Sequence, residues 1–458
     1  MYDKLFAPQI SRRDFLSRSA TIAALLALPR RSILSAKEQS DKFHDRLIIT
    51  EIEVHDILVP YEDWIAYELN HFYGPTRRTI YVVHTNRGLI GLGESGSREA
   101  DIVLQKYIGT NPFDWVGDET SLGLGIAMYD LMGQAANIPV YRLFGQKYRS
   151  WVPTAAWTVS THPSRMATAV QKFSAQGYTW MKYHLSPFEN VIAQMEAMQA
   201  VAPIGFRIHH DLTMGGTVDH GFELLEKISK YPIAGCFEDP LPEKDIDGYA
   251  ELRLRCRLPI LSHHSPLGAG FETIRRAADG YILGHAKIGD VIRRAGLFAQ
   301  LELPFSLQNG GGSITQMMSV HMQAAFKTAY LHFNSDTETW KSDVVKERFK
   351  PINGLIRVSE KPGLGLTLDR GELARLKTLD LPRQPKWIIK TRYNNGTMMY
   401  NLADTNNPGF MVRPDLRRLA TLSYDSPLRT EYWDEDGTTA FRDIMQRLEK
   451  EGMILERT

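Results

Sequence analysis

Two cysteines in 458 residues, Cys236 and Cys256, cannot build a disulfide scaffold. Both fall in or beside expected strands, where a buried free thiol is the ordinary state. Net charge is equally scarce, with 54 basic residues against 53 acidic ones. A near-neutral chain has no long-range field to gather nucleic acid or an anionic bilayer, so small molecules are the expected partners. Beyond the N-terminus no apolar run is long enough to span a membrane. Also missing is the Gly-rich dinucleotide fingerprint that follows an early strand in a doubly wound sheet. Gly310-Gly311-Gly312 reads as a loop, and as a phosphate cradle it is weak.

The 43% hydrophobic and 23% charged residues are those of a globular protein, and the length exceeds what one core usually supports. Residues 1–36 do not read as fold. Ser11-Arg12-Arg13-Asp14-Phe15-Leu16 precedes the apolar run Thr21 to Leu28, and Leu34-Ser35-Ala36 offers small residues for cleavage. The pattern resembles a twin-arginine export signal, which makes the periplasm the expected compartment.

From residue 45 to 148 the pattern is mixed. Ile48 to Val54, Arg78 to His84 and Ile90 to Glu94 alternate as antiparallel strands do, Tyr61 to Tyr73 reads as an aromatic loop, and 98–148 is mainly helical. Eight apolar runs follow, at Val152 to Val159, Tyr178 to His184, Phe206 to Asp211, Gly235 to Asp239, Leu258 to His264, Tyr281 to Lys287, Leu303 to Asn309 and Ala329 to Asn334. Helical periodicity between them, as in Val218 to Tyr231, predicts a closed parallel α/β barrel over residues 149–375. Residues 376–458 show no clear periodicity and read as an accessory extension packed on the barrel or on another subunit.

Polar residues end these runs: Lys182, Asp211, Glu238, His264, Lys287 and Asn309, at intervals of 29, 27, 26, 23 and 22 residues. That is one strand, one helix and two short loops, so the ladder converges on the carboxyl face of the sheet. Asp211, Glu238 and His264 are the candidate metal ligands, since a divalent ion needs anionic or neutral donors from several directions. An imidazole beside two carboxylates suits manganese or another first-row ion at least as well as magnesium. Alternate residues of a strand share a face, which pairs Lys182 with His184, His209 with Asp211, and His285 with Lys287. A cation near Lys182 disfavours its ammonium form, so its pKa is expected to fall into the range of a general base. Of His263 and His264 only one ring can face inward.

Gly177-Tyr178-Thr179-Trp180-Met181-Lys182-Tyr183-His184 resembles the second-strand Lys-x-Lys motif of the enolase superfamily, in its mandelate racemase and muconate lactonizing branch. Phe237-Glu238-Asp239-Pro240-Leu241-Pro242 is similar to that branch's Glu-Asp-Pro strand. Ala127 to Gln134 with Ile138 to Gly145, and Lys361-Pro362-Gly363-Leu364-Gly365 with Asp369, resemble its connecting helix and closing segment. The resemblance implies a TIM-like (β/α)₇β barrel under an N-terminal α+β capping domain, with a magnesium ion that stabilises the enediolate of a carboxylate substrate. It makes Asp211 and Glu238 metal ligands, Lys182 the base, and the Tyr61 loop a specificity lid. Three departures stand out: His264 replaces a glutamate, His184 replaces the second lysine, and Gln308-Asn309 stands where a seventh-strand histidine is expected.

The implied activity is that of a metal-dependent lyase that dehydrates a sugar acid, with His184 or Lys287 as acid, and with Tyr61, His209, His285 and Asn309 at the substrate. The alternatives are an epimerase or racemase of the same superfamily, and a non-catalytic sugar-acid-binding protein. A homo-oligomer is expected.

Overall fold

The computed structural model describes residues 47–213, 218–263, 270–348, 350–380, 386–412 and 427–457. The export-signal segment and His264 lie outside them. Strands β1 (Ile49–Val59), β2 (Thr76–Thr85) and β3 (Ile90–Ser95) form an antiparallel sheet in that order. The long connection from β1 to β2, expected to be loop, holds a helix at Ala66–Phe72 that buries Leu69 and Phe72. Helix Leu122–Ala136, capped by Ser121 through Leu124 N at 3.2 Å, lies on this sheet. The two meet at backbone distance, since a Cβ on Gly93 would stand 2.1 Å from the Gly123 carbonyl oxygen.

All eight apolar runs are parallel strands: β4 (Trp151–Val159), β5 (Trp180–His184), β6 (Arg207–Asp211), β7 (Ala234–Glu238), β8 (Ile260–Ser262), β9 (Gly280–Gly284), β10 (Phe305–Gln308) and β11 (Phe333–Ser335). They lie side by side in chain order from β4 to β10, β11 pairs with the other side of β4, and the short β12 (Leu355–Arg357) pairs antiparallel with the start of β4. Phe305 N donates to Thr328 O at 3.1 Å and Leu331 N to Phe305 O at 3.3 Å, which brings β10 beside the approach to β11. The sheet thus curls into a TIM-like barrel beneath the N-terminal α+β cap. Helices between the strands start from polar caps, as where Asn190 accepts from Ala193 N and Asp245 from Gly248 N, both at 3.0 Å.

The extension is regular where no periodicity was expected. Strands β13 (Trp387–Tyr393), β14 (Thr397–Ala403), β15 (Pro427–Asp434) and β16 (Met453–Arg457) make an antiparallel sheet of order β15-β13-β14-β16. Helix Thr439–Glu451 covers one face through Phe441 and Leu448, and the other packs Trp387, Ile389 and Tyr393 with Phe188 of the barrel. With both faces partly covered, charged and aromatic residues intermix along each strand, which leaves no clear alternation in the sequence.

Asp130 joins cap and barrel. Its carboxylate accepts from Leu92 N of β3 at 3.0 Å and from Leu364 N of the closing segment at 2.8 Å. Burial pushes its pKa up to about 6, against the pull of those two amides. Between the ordinary carboxylate range and pH 6 the folded chain therefore holds a proton that the unfolded chain has lost, and stability falls as pH rises through that window. The stability advantage of the wild type over Asp130→Asn, measured by urea unfolding, should shrink by roughly 1–3 kcal/mol from pH 4 to pH 7. A constant difference would show that Asp130 stays ionised.

Candidate active site at the barrel mouth

Strand alternation sends Met181 and Tyr183 outward into the helical layer, and Lys182 and His184 inward. In the neighbouring strands Lys182 is in register with His209, His184 with Asp211, and Asp211 with Glu238. Lys182 is fully buried. Its ammonium lies 3.0 Å from Asp211 Oδ2 and 2.6 Å from Glu238 Oε2, and it donates to Gln308 Oε1 at 2.9 Å. Glu238 is held further by His209 Nε2 at 2.7 Å and His263 Nδ1 at 3.0 Å. His184 Nδ1 is 3.0 Å from Asp211 Oδ2.

Lys182 reverses the expected pKa shift. Burial drives its ammonium downward, but Asp211 and Glu238 outweigh that and the net displacement is upward. The same contacts act on the acids. Burial and the neighbouring Glu238 raise Asp211, yet Lys182 and His184 hold it at about 2. Glu238 sits well below the carboxylate range, because Lys182, His209 and His263 overcome its burial.

Above this cluster a cavity of about 220 Å³ opens between barrel and cap. Tyr61, His184 and His285, all expected near substrate, line it. His209 instead lies below, its Nδ1 2.8 Å from His332 Nε2. Two further placements correct the sequence reading. Asn309 is buried and donates to Ser319 Oγ at 3.0 Å, turned toward helix Ser313–Ala325; its neighbour Gln308 faces the cavity. Strand β9 ends at Gly284, so parity does not carry to Lys287, which is exposed at the start of helix Ile288–Leu301 and lines no part of the cavity. His285 reaches it through a left-handed backbone, φ 51°. Of the two adjacent histidines, His263 is described and meets Glu238.

Sequence reasoning passed over Trp157, Gln308, Asn334 and Asp336, which also line the cavity. Asn334 donates to Gln308 Oε1 at 2.6 Å and ends the eighth apolar run, the same signal that marked the ladder. The glycine loop serves the chain itself. Gly311 N donates to Asp336 at 2.8 Å and Gly312 N to Glu94 at 2.6 Å, and a Cβ at Gly311, φ 137°, would strike Arg78.

Donor atoms of Glu238, Asp239 and His263 lie within 4.8 Å of one another. Asp239 is the poorer donor, since its Oδ1 accepts from His263 N at 2.9 Å and burial beside Glu238 lifts its pKa to about 7. Two buried carboxylates against one ammonium leave net negative charge, and oxygen plus imidazole donors suit a divalent ion. The described residues therefore fit the expected metal, with Glu238 and His263 as its holders and Asp239 as the third, weaker donor.

Residues 165–372 match the family model described as Enolase C-terminal domain-like. The match spans strands β5 to β11 of the barrel. The chain is 21% identical over 372 residues to the D-Ala-D/L-Ala epimerase of Cytophaga hutchinsonii, covering 73% of this chain and 99% of that one. It is 25% identical over 351 residues to the D-xylonate dehydratase of Haloferax volcanii, covering 63% and 82%. The crystal structure of the dipeptide epimerase from Cytophaga hutchinsonii, complexed with Mg and the dipeptide D-Ala-L-Val, superposes with a TM-score of 0.63 at 22% identity, over 72% of this chain and 98% of that one. The enolase-type barrel and its cap are thus a shared architecture, and more than a quarter of this chain lies beyond it.

Replacing Lys182 with Met should strand Asp211 and Glu238 as buried, unpaired charges and cost about 3–5 kcal/mol in urea unfolding. Millimolar manganese should restore more stability to this variant than to the wild type. Equal stabilities would show that the ammonium is not the counter-charge of the site.

Proposed function

We propose that the chain is an enolase-type lyase that removes the α proton of a small hydroxy acid and expels its β-hydroxyl as water. One observation carries this reading: two imidazoles, His184 and His285, line the same cavity above the buried cluster. His184 ends the second and His285 follows the sixth of eight strands in the ring, so they stand on opposite walls. That is the arrangement an acid and a base need to work on the two ends of one C–C bond.

In this reading the substrate carboxylate sits in the cavity over the buried cluster. A divalent ion held by Glu238 and His263 with Asp239 would supply Lewis-acid charge at this end of the cavity. With His184 Nδ1 3.0 Å from Asp211 Oδ2, Nε2 is assigned as the atom that accepts the α proton. His285 gives a proton to the departing hydroxyl, and the enol left behind rearranges to a 2-keto-3-deoxy acid. Lys182 is assigned an electrostatic role, because it is enclosed by three acceptors and does not line the cavity. Polar Gln308, Asn334 and Asp336 beside Trp157 suit a polyhydroxylated chain, and relatives named as D-galactonate and D-xylonate dehydratases support the substrate class.

The same two imidazoles would serve proton transfer across one carbon, and a relative named as an epimerase favours that second reading. The twin-arginine pattern makes the periplasm the proposed compartment. Incubated with manganese and D-xylonate or D-galactonate in deuterated water, the wild type should take up deuterium at the α carbon and release the keto acid. His184→Asn should slow both by about 10²–10⁴-fold. His285→Asn should keep the deuterium exchange and lose the keto acid. Exchange with inverted starting acid and no keto acid would favour epimerisation, and wild-type exchange in His184→Asn would remove that imidazole from the chemistry.

A further inference from the structure

The C-terminal extension packs against two residues that line the cavity, His184 and Tyr73. Its segment before β15 runs against the cap helix Ala66–Phe72, where Gly409 N donates to His71 O at 3.0 Å and Phe410 N to Phe72 O at 2.5 Å. This places the Phe410 ring 4.8 Å from the His184 ring and 5.8 Å from Tyr73. Tyr73 and Trp157, both lining the cavity, lie 6.4 and 5.8 Å from the same imidazole. His184 is thus boxed by three aromatic rings from three parts of the chain: cap, barrel and extension.

The extension also grips the cap helix from behind. His71 stacks on Tyr432 at 5.0 Å, packs edge-on to Trp387 at 5.3 Å, and has Nε2 2.7 Å from Asp434. Tyr67 OH donates to Tyr432 O at 3.1 Å, and Thr430 bonds Phe188 O in the loop after β5. The cap helix leads directly into the cavity-lining residues from Tyr73 to Arg78. Whatever holds that helix sets the shape of the substrate space.

We propose that the C-terminal module is a working part of the active site: it braces the cap helix through His71, and Phe410 is a specificity-determining and positioning residue that closes the aromatic wall around His184. The wall limits the chain length of the acid on that side and holds the imidazole against Asp211. This deepens the reading of the site given above and rests on it for its activity measurements. Relatives covered over 98–99% of their own length span only 72–73% of this chain, so a wall built from the extension distinguishes this enzyme from them.

The test compares full-length wild type, Phe410→Ala and Phe410→Leu. Amide hydrogen exchange of residues 66–78 should quicken in Phe410→Ala and return toward wild type in Phe410→Leu. With D-xylonate and the six-carbon D-galactonate, Phe410→Ala should lower kcat for the preferred acid and shift the kcat/KM preference by about tenfold toward the longer one. Unchanged exchange at 66–78, or an unchanged preference between the two acids in an active Phe410→Ala variant, overturns the proposal. A wild type silent toward every acid would sink the reading of the site, and the exchange measurement would still judge the brace on its own.

Discussion

The site depends on one buried electrostatic arrangement, the Lys182 ammonium lodged between Asp211 and Glu238. Three charges are taken out of water together, and each would be costly alone. Their mutual attraction keeps both carboxylates ionised and the lysine protonated in the interior. His184, His209 and His263 then arrange themselves around the two acids, so the orientation of these three imidazole rings traces back to this triad.

Around that centre the molecule is organised in three shells. The barrel supplies the charges, from strand ends that share one face. The cap supplies the roof, tied to the barrel by Asp130 and by the Arg78 to Glu94 pair at 2.7 Å, whose carboxylate also receives Gly312 N. The extension supplies a clamp behind the roof and one ring beside His184. In the proposed reading charge and roof serve different ends: the first sets the chemistry, the second which acid is admitted.

The barrel was legible because parallel strands buried on both faces read as plain apolar runs, and all eight were marked. Asp211, Glu238 and His184 were legible because each ends such a run, where the strand opens onto the site. Reading failed where the strand stopped early or the parity was carried too far. Gln308 and Asn309 are neighbours at the end of β10, and only the register of β10 against β9 tells which one faces inward. Lys287 shared parity with Leu283 on paper, but β9 had already ended at Gly284. The extension was illegible because its sheet is covered on both faces by different partners, so no single period survives in its sequence.

Apolar runs at steady spacing, each closed by a polar residue, determined the barrel and named most of the side chains that meet at its mouth, since strand direction and helix length are local properties of the chain. Only the tertiary structure decided which charge neutralises which, because the Lys182 shift depends on two carboxylates 29 and 56 residues further along whose approach no local pattern encodes. It alone also brought Phe410 beside His184, across 226 residues, because that contact is made by the packing of one module against another.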